Sequence, residues 1–120
     1  MEIEIFGPIV TVYVYKESEF KQTVELCDTT SPYGLCGCIF AQDRYAVEYL
    51  NEKLRYAAGN YYVNDKCIGA VAGLQPFGGA RASGTNDKSG GNIYVLRFTS
   101  PRLVRETISP PHDWKYPFLP

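Results

Sequence analysis

The sequence holds a single histidine, His112, and its formal net charge is only −1. Near-neutrality argues against nonspecific nucleic-acid binding, which needs a basic surface to displace counterions. No apolar run approaches the length that crosses a bilayer. Acidic Glu2 and Glu4 follow Met1 directly, so no secretory leader is expected at this start. No asparagine stands in a glycosylation sequon. Two phosphate-binding signatures also fail. Gly79 and Gly84 have P-loop spacing, but Thr85 stands where the lysine that reaches the β- and γ-phosphates is required. The dinucleotide fingerprint G-x-G-x-x-G is missing, so these residues supply no cofactor-binding half of their own.

What is present fits one domain. A chain of 120 residues buries roughly two-thirds of its unfolded surface. Its hydrophobic content of 45% excludes a disordered tail. Cys27, Cys36, Cys38 and Cys67 read as reduced intracellular thiols. Ten tyrosines suit either a core or a surface that meets a partner.

The pattern along the chain is α/β. The β-branched and aromatic run 9–15 reads as a strand buried on both faces. Phe20, Val24 and Cys27 give a short amphipathic helix over 17–27, and Pro32 ends it. Residues 35–41 form a second apolar strand. Asp43 caps a second helix with Ala46, Val47, Leu50, Leu54 and Ala57 on one face, and Gly59 fits its stop. A third strand covers 61–64. This β-α-β-α-β order predicts a partial parallel sheet with helical crossovers. A long glycine-rich loop spans about 66–92, and loops of that length are usually functional. Strands are expected at 93–99 and 102–108, then an irregular tail.

Several residues have two chemical readings. Cys36 and Cys38 share a strand face, but structural zinc sites use wider pairs, and small core residues are the stronger reading. His112 sits in a proline-rich tail with no acid or nucleophile near it in sequence. Cys67 adjoins Lys66, which can make a thiol reactive; a tolerated small residue is the alternative. Arg81 and Asp87 either pair to hold the loop or stay solvated.

The run Gln75-Pro76-Phe77-Gly78-Gly79-Ala80-Arg81-Ala82-Ser83-Gly84-Thr85-Asn86-Asp87, with Glu4-Ile5-Phe6-Gly7-Pro8, resembles the end of an aldehyde dehydrogenase catalytic domain. Its branch is the Δ1-pyrroline-5-carboxylate dehydrogenases, which oxidise glutamate γ-semialdehyde. The resemblance implies an incomplete catalytic domain of that fold in 1–92, with an oligomerisation contact in 93–120. It implies that Glu4 hydrogen-bonds the nicotinamide ribose hydroxyls and that Phe6 packs beside the nicotinamide. Ile3 departs from the pattern, which commonly has a second acid there. The loop Ile68-Gly69-Ala70 matches a segment whose backbone N–H groups hold the substrate α-carboxylate, so Gly69 and Ala70 are the implied anchor. Phe77 matches an aromatic residue on the substrate's aliphatic part; it also reads as a loop anchor.

The implied reaction is NAD-dependent oxidation to glutamate in proline breakdown: a thiolate attacks the aldehyde, hydride passes to NAD, and water releases the acid. Members of the family are several times longer, and the resemblance places their nucleophilic cysteine and cofactor domain outside these residues. NAD is therefore expected only with that domain, and no activity from these residues alone. The implied partner is the rest of a dehydrogenase, in the mitochondrial matrix. The alternatives are a truncated, non-catalytic subunit of a larger assembly and a small module that keeps the anion-binding loop.

Overall fold

Two short helices and a parallel strand pair form the centre of the molecule, whose computed structural model describes residues 2–120. Helix α1 spans Phe20–Thr29 behind a 3-10 turn at Glu17–Glu19. Its end is closed by the Thr30 hydroxyl, which donates to the Leu26 carbonyl. Strand β1, Tyr33–Gly34, and strand β2, Cys36–Ile39, follow. Helix α2 spans Arg44–Lys53, and the Asp43 carboxylate accepts from the Tyr45 N–H at 3.0 Å, which satisfies one orphan donor of the first turn. Strand β3 is Asn60–Val63 and strand β4 is Ala80–Arg81.

β2 and β3 pair in parallel, with Cys36 opposite Asn60 and Ile39 opposite Val63. Parallel neighbours need a crossover, and α2 supplies it. Asn64, at φ 55°, closes the pair. Its side chain exchanges two 2.9 Å bonds with the backbone of Ala41 and so continues the ladder beyond β2. The core lies between the helices and this pair: Val24, Ile39, Val47, Leu50 and Leu54 are buried together, with Phe20, Tyr49 and Tyr61 packed against them. The Phe20 and Tyr49 ring centroids are 5.9 Å apart.

The α/β class and the parallel sheet agree with the pattern in the sequence, but three elements differ. Residues 9–15 belong to no strand, and Val10, Val12 and Val14 are exposed. An apolar run needs neighbours on its edges and faces before it becomes a strand, and the described residues supply none. Residues 93–99 alternate like a strand, but Asn92–Phe98 is a 3-10 helix in which Tyr94 and Phe98 meet edge to face at 5.2 Å. Contacts three to four residues apart here replace the strand partner that alternation presupposes. Residues 102–108 carry no regular structure.

Gly59 has a different job from the helix stop its position suggests. α2 ends at Lys53, with Leu54 as its cap. Gly59 instead lies under the glycine-rich loop, where a Cβ would stand 1.7 Å from the Gly78 carbonyl oxygen.

Candidate functional site

The glycine-rich loop is docked on both sides. On one side, β4 pairs antiparallel with β1, Tyr33 opposite Arg81. Ser83 Oγ accepts from the Gly34 N–H at 2.9 Å. Arg81, at φ 53°, reaches α1, where its guanidinium donates to both the carboxylate and the carbonyl of Asp28, each at 2.5 Å. This bidentate, partly buried contact corrects both readings of Arg81 from the sequence, pairing with Asp87 and plain solvation; the fork geometry of arginine suits it.

Asp87 pairs with Arg97 instead, at 2.9 Å from Nε, and also accepts from the Thr85 hydroxyl at 2.7 Å. The Thr85 bond foremost, and Arg97 with it, hold the Asp87 carboxyl below its ordinary value of 3.8, while desolvation pushes the other way. A depressed folded-state value means that the stabilisation is fully present above 3.8 and is lost as pH falls through the lowered value. Asp87→Asn should therefore loosen the loop at about pH 7 and make progressively less difference towards about pH 2. Proteolysis of the loop at the two pH values, with an acid-tolerant protease, checks this. An undiminished gap in acid would sink the assignment.

The sequence-predicted substrate residues sit at the loop's start. Gly69, at φ 96°, needs a conformation that glycine adopts readily. Its carbonyl accepts from Gln75 Nε2 at 2.7 Å, and Val71 and Gln75 close a tight antiparallel bridge behind it. Gly69 and Ala70 are exposed. Among the described residues, neither of their backbone N–H groups finds an acceptor, the state an anion-binding nest requires. The Lys66 ammonium lies beside them, 3.8 Å from where a Cβ on Gly69 would sit; lysine next to an N–H pair is a signal the sequence reading used only for Cys67. Phe77 is half-buried, and its carbonyl accepts from the Ser89 N–H at 2.9 Å.

The predicted cofactor residues lie elsewhere. Phe6 and Gly7 occupy left-handed conformations in succession, φ 63° and 88°, and the Ile9 N–H folds back on the Gly7 carbonyl at 2.8 Å. A bulky residue at positive φ is an outlier that costs on the order of 1–3 kcal/mol. The Phe6 ring is exposed, as is Glu4. Among the described residues, Glu4 makes no ion pair. An unpartnered carboxylate beside an exposed ring fits a ribose and the flat ring it carries. The open groove around them is walled by residues 3–11 alone, so Glu4 and Phe6 are not brought together with Gly69, Ala70 and Phe77.

Cys38 is half-buried on β2, and burial first, then the neighbouring Cys67 thiol, push it upward. No group of three or more His, Cys, Asp or Glu residues converges on a metal position among the described residues. No helix among them is long and apolar enough to cross a membrane.

Over 119 residues the chain is 57% identical to the mitochondrial Delta-1-pyrroline-5-carboxylate dehydrogenase of Bos taurus, covering 99% of this chain and 21% of that protein. The Homo sapiens protein of the same name is 53% identical over the same span and shares. The crystal structure of the Mycobacterium tuberculosis Delta-pyrroline-5-carboxylate dehydrogenase bound with NAD superposes with a TM-score of 0.79 at 50% identity, covering 95% of this chain and 21% of that one. The chain thus spans about a fifth of the length of the curated relatives it matches. Residues 1–104 match the aldehyde dehydrogenase family, and the chain belongs to that family.

Proposed function

We propose that this chain forms one wall of the active site of an NAD-dependent dehydrogenase that oxidises glutamate γ-semialdehyde to glutamate. The observation that carries the reading is 57% identity with the bovine enzyme across 99% of this chain. Gly69 and Ala70 present free N–H groups to the substrate carboxylate, and Phe77 lies against its aliphatic part. Glu4 accepts the ribose hydroxyls and Phe6 packs beside the nicotinamide, which when bound accepts the hydride. Strain at Phe6, an unpartnered Glu4 and the donor pair at the anchor support these roles. Residues 1–92 carry the catalytic contacts, and 93–120 meet a neighbouring subunit. The mitochondrial matrix is the proposed location, since the bovine and human relatives are named mitochondrial.

These residues hold one wall only, so the purified 120-residue chain is expected to give no NAD reduction with the semialdehyde. The protein isolated from its source, at its full mass, is expected to turn over. Turnover by the short chain, or none by the source protein, overturns the reading. A second reading, a non-catalytic subunit of an assembly, is favoured by one observation: the apolar ends, Val10, Val14, Leu103 and Ile108 among them, are exposed. An intact mass near 13.5 kDa with stable partners would select it; a mass several times larger would select the enzyme.

A further inference from the structure

Four oxygens converge on one half-buried lysine in the middle of the loop. Lys88 Nζ donates to the Gly59 carbonyl at 2.5 Å, the Asn86 side-chain oxygen at 2.7 Å, the Asn60 side-chain oxygen at 3.1 Å and the Gly78 carbonyl at 3.3 Å. An ammonium has three N–H groups for these four acceptors, so one N–H is shared between two of them. No acidic side chain takes part: among the described residues, no salt bridge reaches Lys88, and its neighbour Asp87 is engaged by Arg97. Carbonyl dipoles alone surround the charge, as they surround a bound monovalent cation. Without the cation, the four oxygens would face one another with only the long Gly78 N–H bond to Asn60 Oδ1 among them.

The cage joins segments that the chain keeps far apart. Gly59 precedes β3 and Asn60 begins it, whereas Gly78 and Asn86 belong to the glycine-rich run. Asn60 doubles the tie, since its Nδ2 donates to the Pro76 carbonyl at 3.3 Å and its Oδ1 accepts from the Gly78 N–H at 3.4 Å. Phe77 lies between these two contacts, and its own carbonyl is held by Ser89, next to Lys88. The residues on either side of Phe77 are therefore tied to Asn60, a member of this cage, and its own carbonyl to the neighbour of Lys88.

We propose that Lys88 is the positioning residue of the substrate wall, its ammonium an internal cation that seats Phe77 and Gly78 against β3. The inference rests on the reading of Phe77 as a substrate contact. Lys88 touches neither cofactor nor substrate and acts through the oxygens it gathers. Its removal misplaces Phe77 but leaves the Glu4–Phe6 turn, which shares no contact with the cage.

The test uses the native-length protein. Lys88→Met keeps the aliphatic stem and loses the charge. It should raise KM for the semialdehyde and lower its kcat/KM by up to about 100-fold, the scale of a misplaced group, with KM for NAD unchanged. Chymotryptic cleavage after Phe77 should quicken about tenfold as the loop opens. In Lys88→Gly, added methylammonium should slow that cleavage again by filling the cage. A parallel rise in both KM values, or cleavage indifferent to Lys88→Met and to methylammonium, overturns the proposal. If Lys88→Met does not fold, Asn86→Ala removes one cage oxygen and must show the same selective effects in smaller degree; their absence overturns it too. A wild-type protein without dehydrogenase activity defeats the functional reading, while the cleavage assay still decides whether the cage seats the loop.

Discussion

Gly59→Ala is expected to lift the glycine-rich loop off β3. The added methyl would sit 1.7 Å from the Gly78 oxygen, 2.8 Å from the Gly78 carbonyl carbon and 3.0 Å from the Ala80 nitrogen. All three atoms are backbone, so no rotamer change relieves the clash. Retreat on the other side is blocked, because the Gly59 N–H already donates to the Gly34 and Leu35 carbonyls at 2.9 and 3.0 Å. Overpacking costs typically 1–3 kcal/mol, and a clash confined to backbone belongs at or above about 3 kcal/mol. At 1.4 kcal/mol per factor of ten, that is on the order of 100-fold faster exchange of the Ser89 and Gly78 amides. Gly37→Ala is the matched control. Its Cβ would meet only the Ala58 methyl, at 3.3 Å, and a shift of a few tenths of an ångström accommodates it. Loop amides that exchange equally in the two variants would show that the close approach of Gly59 and Gly78 does not hold the loop.

The same glycine marks where sequence reasoning stops. Signals carried within a few residues were legible. Asp43 caps α2; Val47, Leu50 and Leu54 share its buried face; the apolar runs around 36–39 and 60–63 became the parallel pair. Contacts between distant residues were not. Arg81 is 53 residues from Asp28, and the only partner weighed for it in the sequence was nearby Asp87, against plain solvation. The stretches 9–15 and 102–108 have strand composition, yet pairing is a property of a neighbour as much as of the segment. At the candidate site, the resemblance supplied Glu4, Phe6, Gly69, Ala70 and Phe77. The backbone conformations at Phe6 and Gly69, and the free N–H pair, were beyond it. Lys88 carried little local signal, since three of the four oxygens it gathers come from Gly59, Asn60 and Gly78, ten or more residues away.

Alone in solution, the 120-residue chain is expected to associate rather than run as a monomer. A globular chain of this length has a radius of gyration of about 14 Å, whereas this one measures 23.2 Å and extends 76 Å along its longest axis. Its accessible surface of 10725 Å² exceeds the roughly 6,500 Å² of a compact monomer of its mass. The excess is larger than the roughly 1,000–2,500 Å² that each partner buries in an obligate interface. Much of it is apolar: Val10, Val14, Leu103, Ile108 and Trp114 are each more than 80% exposed. Among the described residues, 10–15 and 102–108 make no backbone hydrogen bonds to one another or to other segments, and unpaired N–H and C=O groups are a template for strand addition. A net charge of −1 gives little repulsion to oppose contact. Light scattering over a range of concentrations decides the matter. A mass that climbs with concentration, and falls back when Val12 and Leu103 are both replaced by lysine, identifies the two extended ends as the adhesive surfaces. A sharp 13.5 kDa species at high concentration would mean that the ends fold back and cover each other, and the proposal of a subunit contact in 93–120 would fall with it.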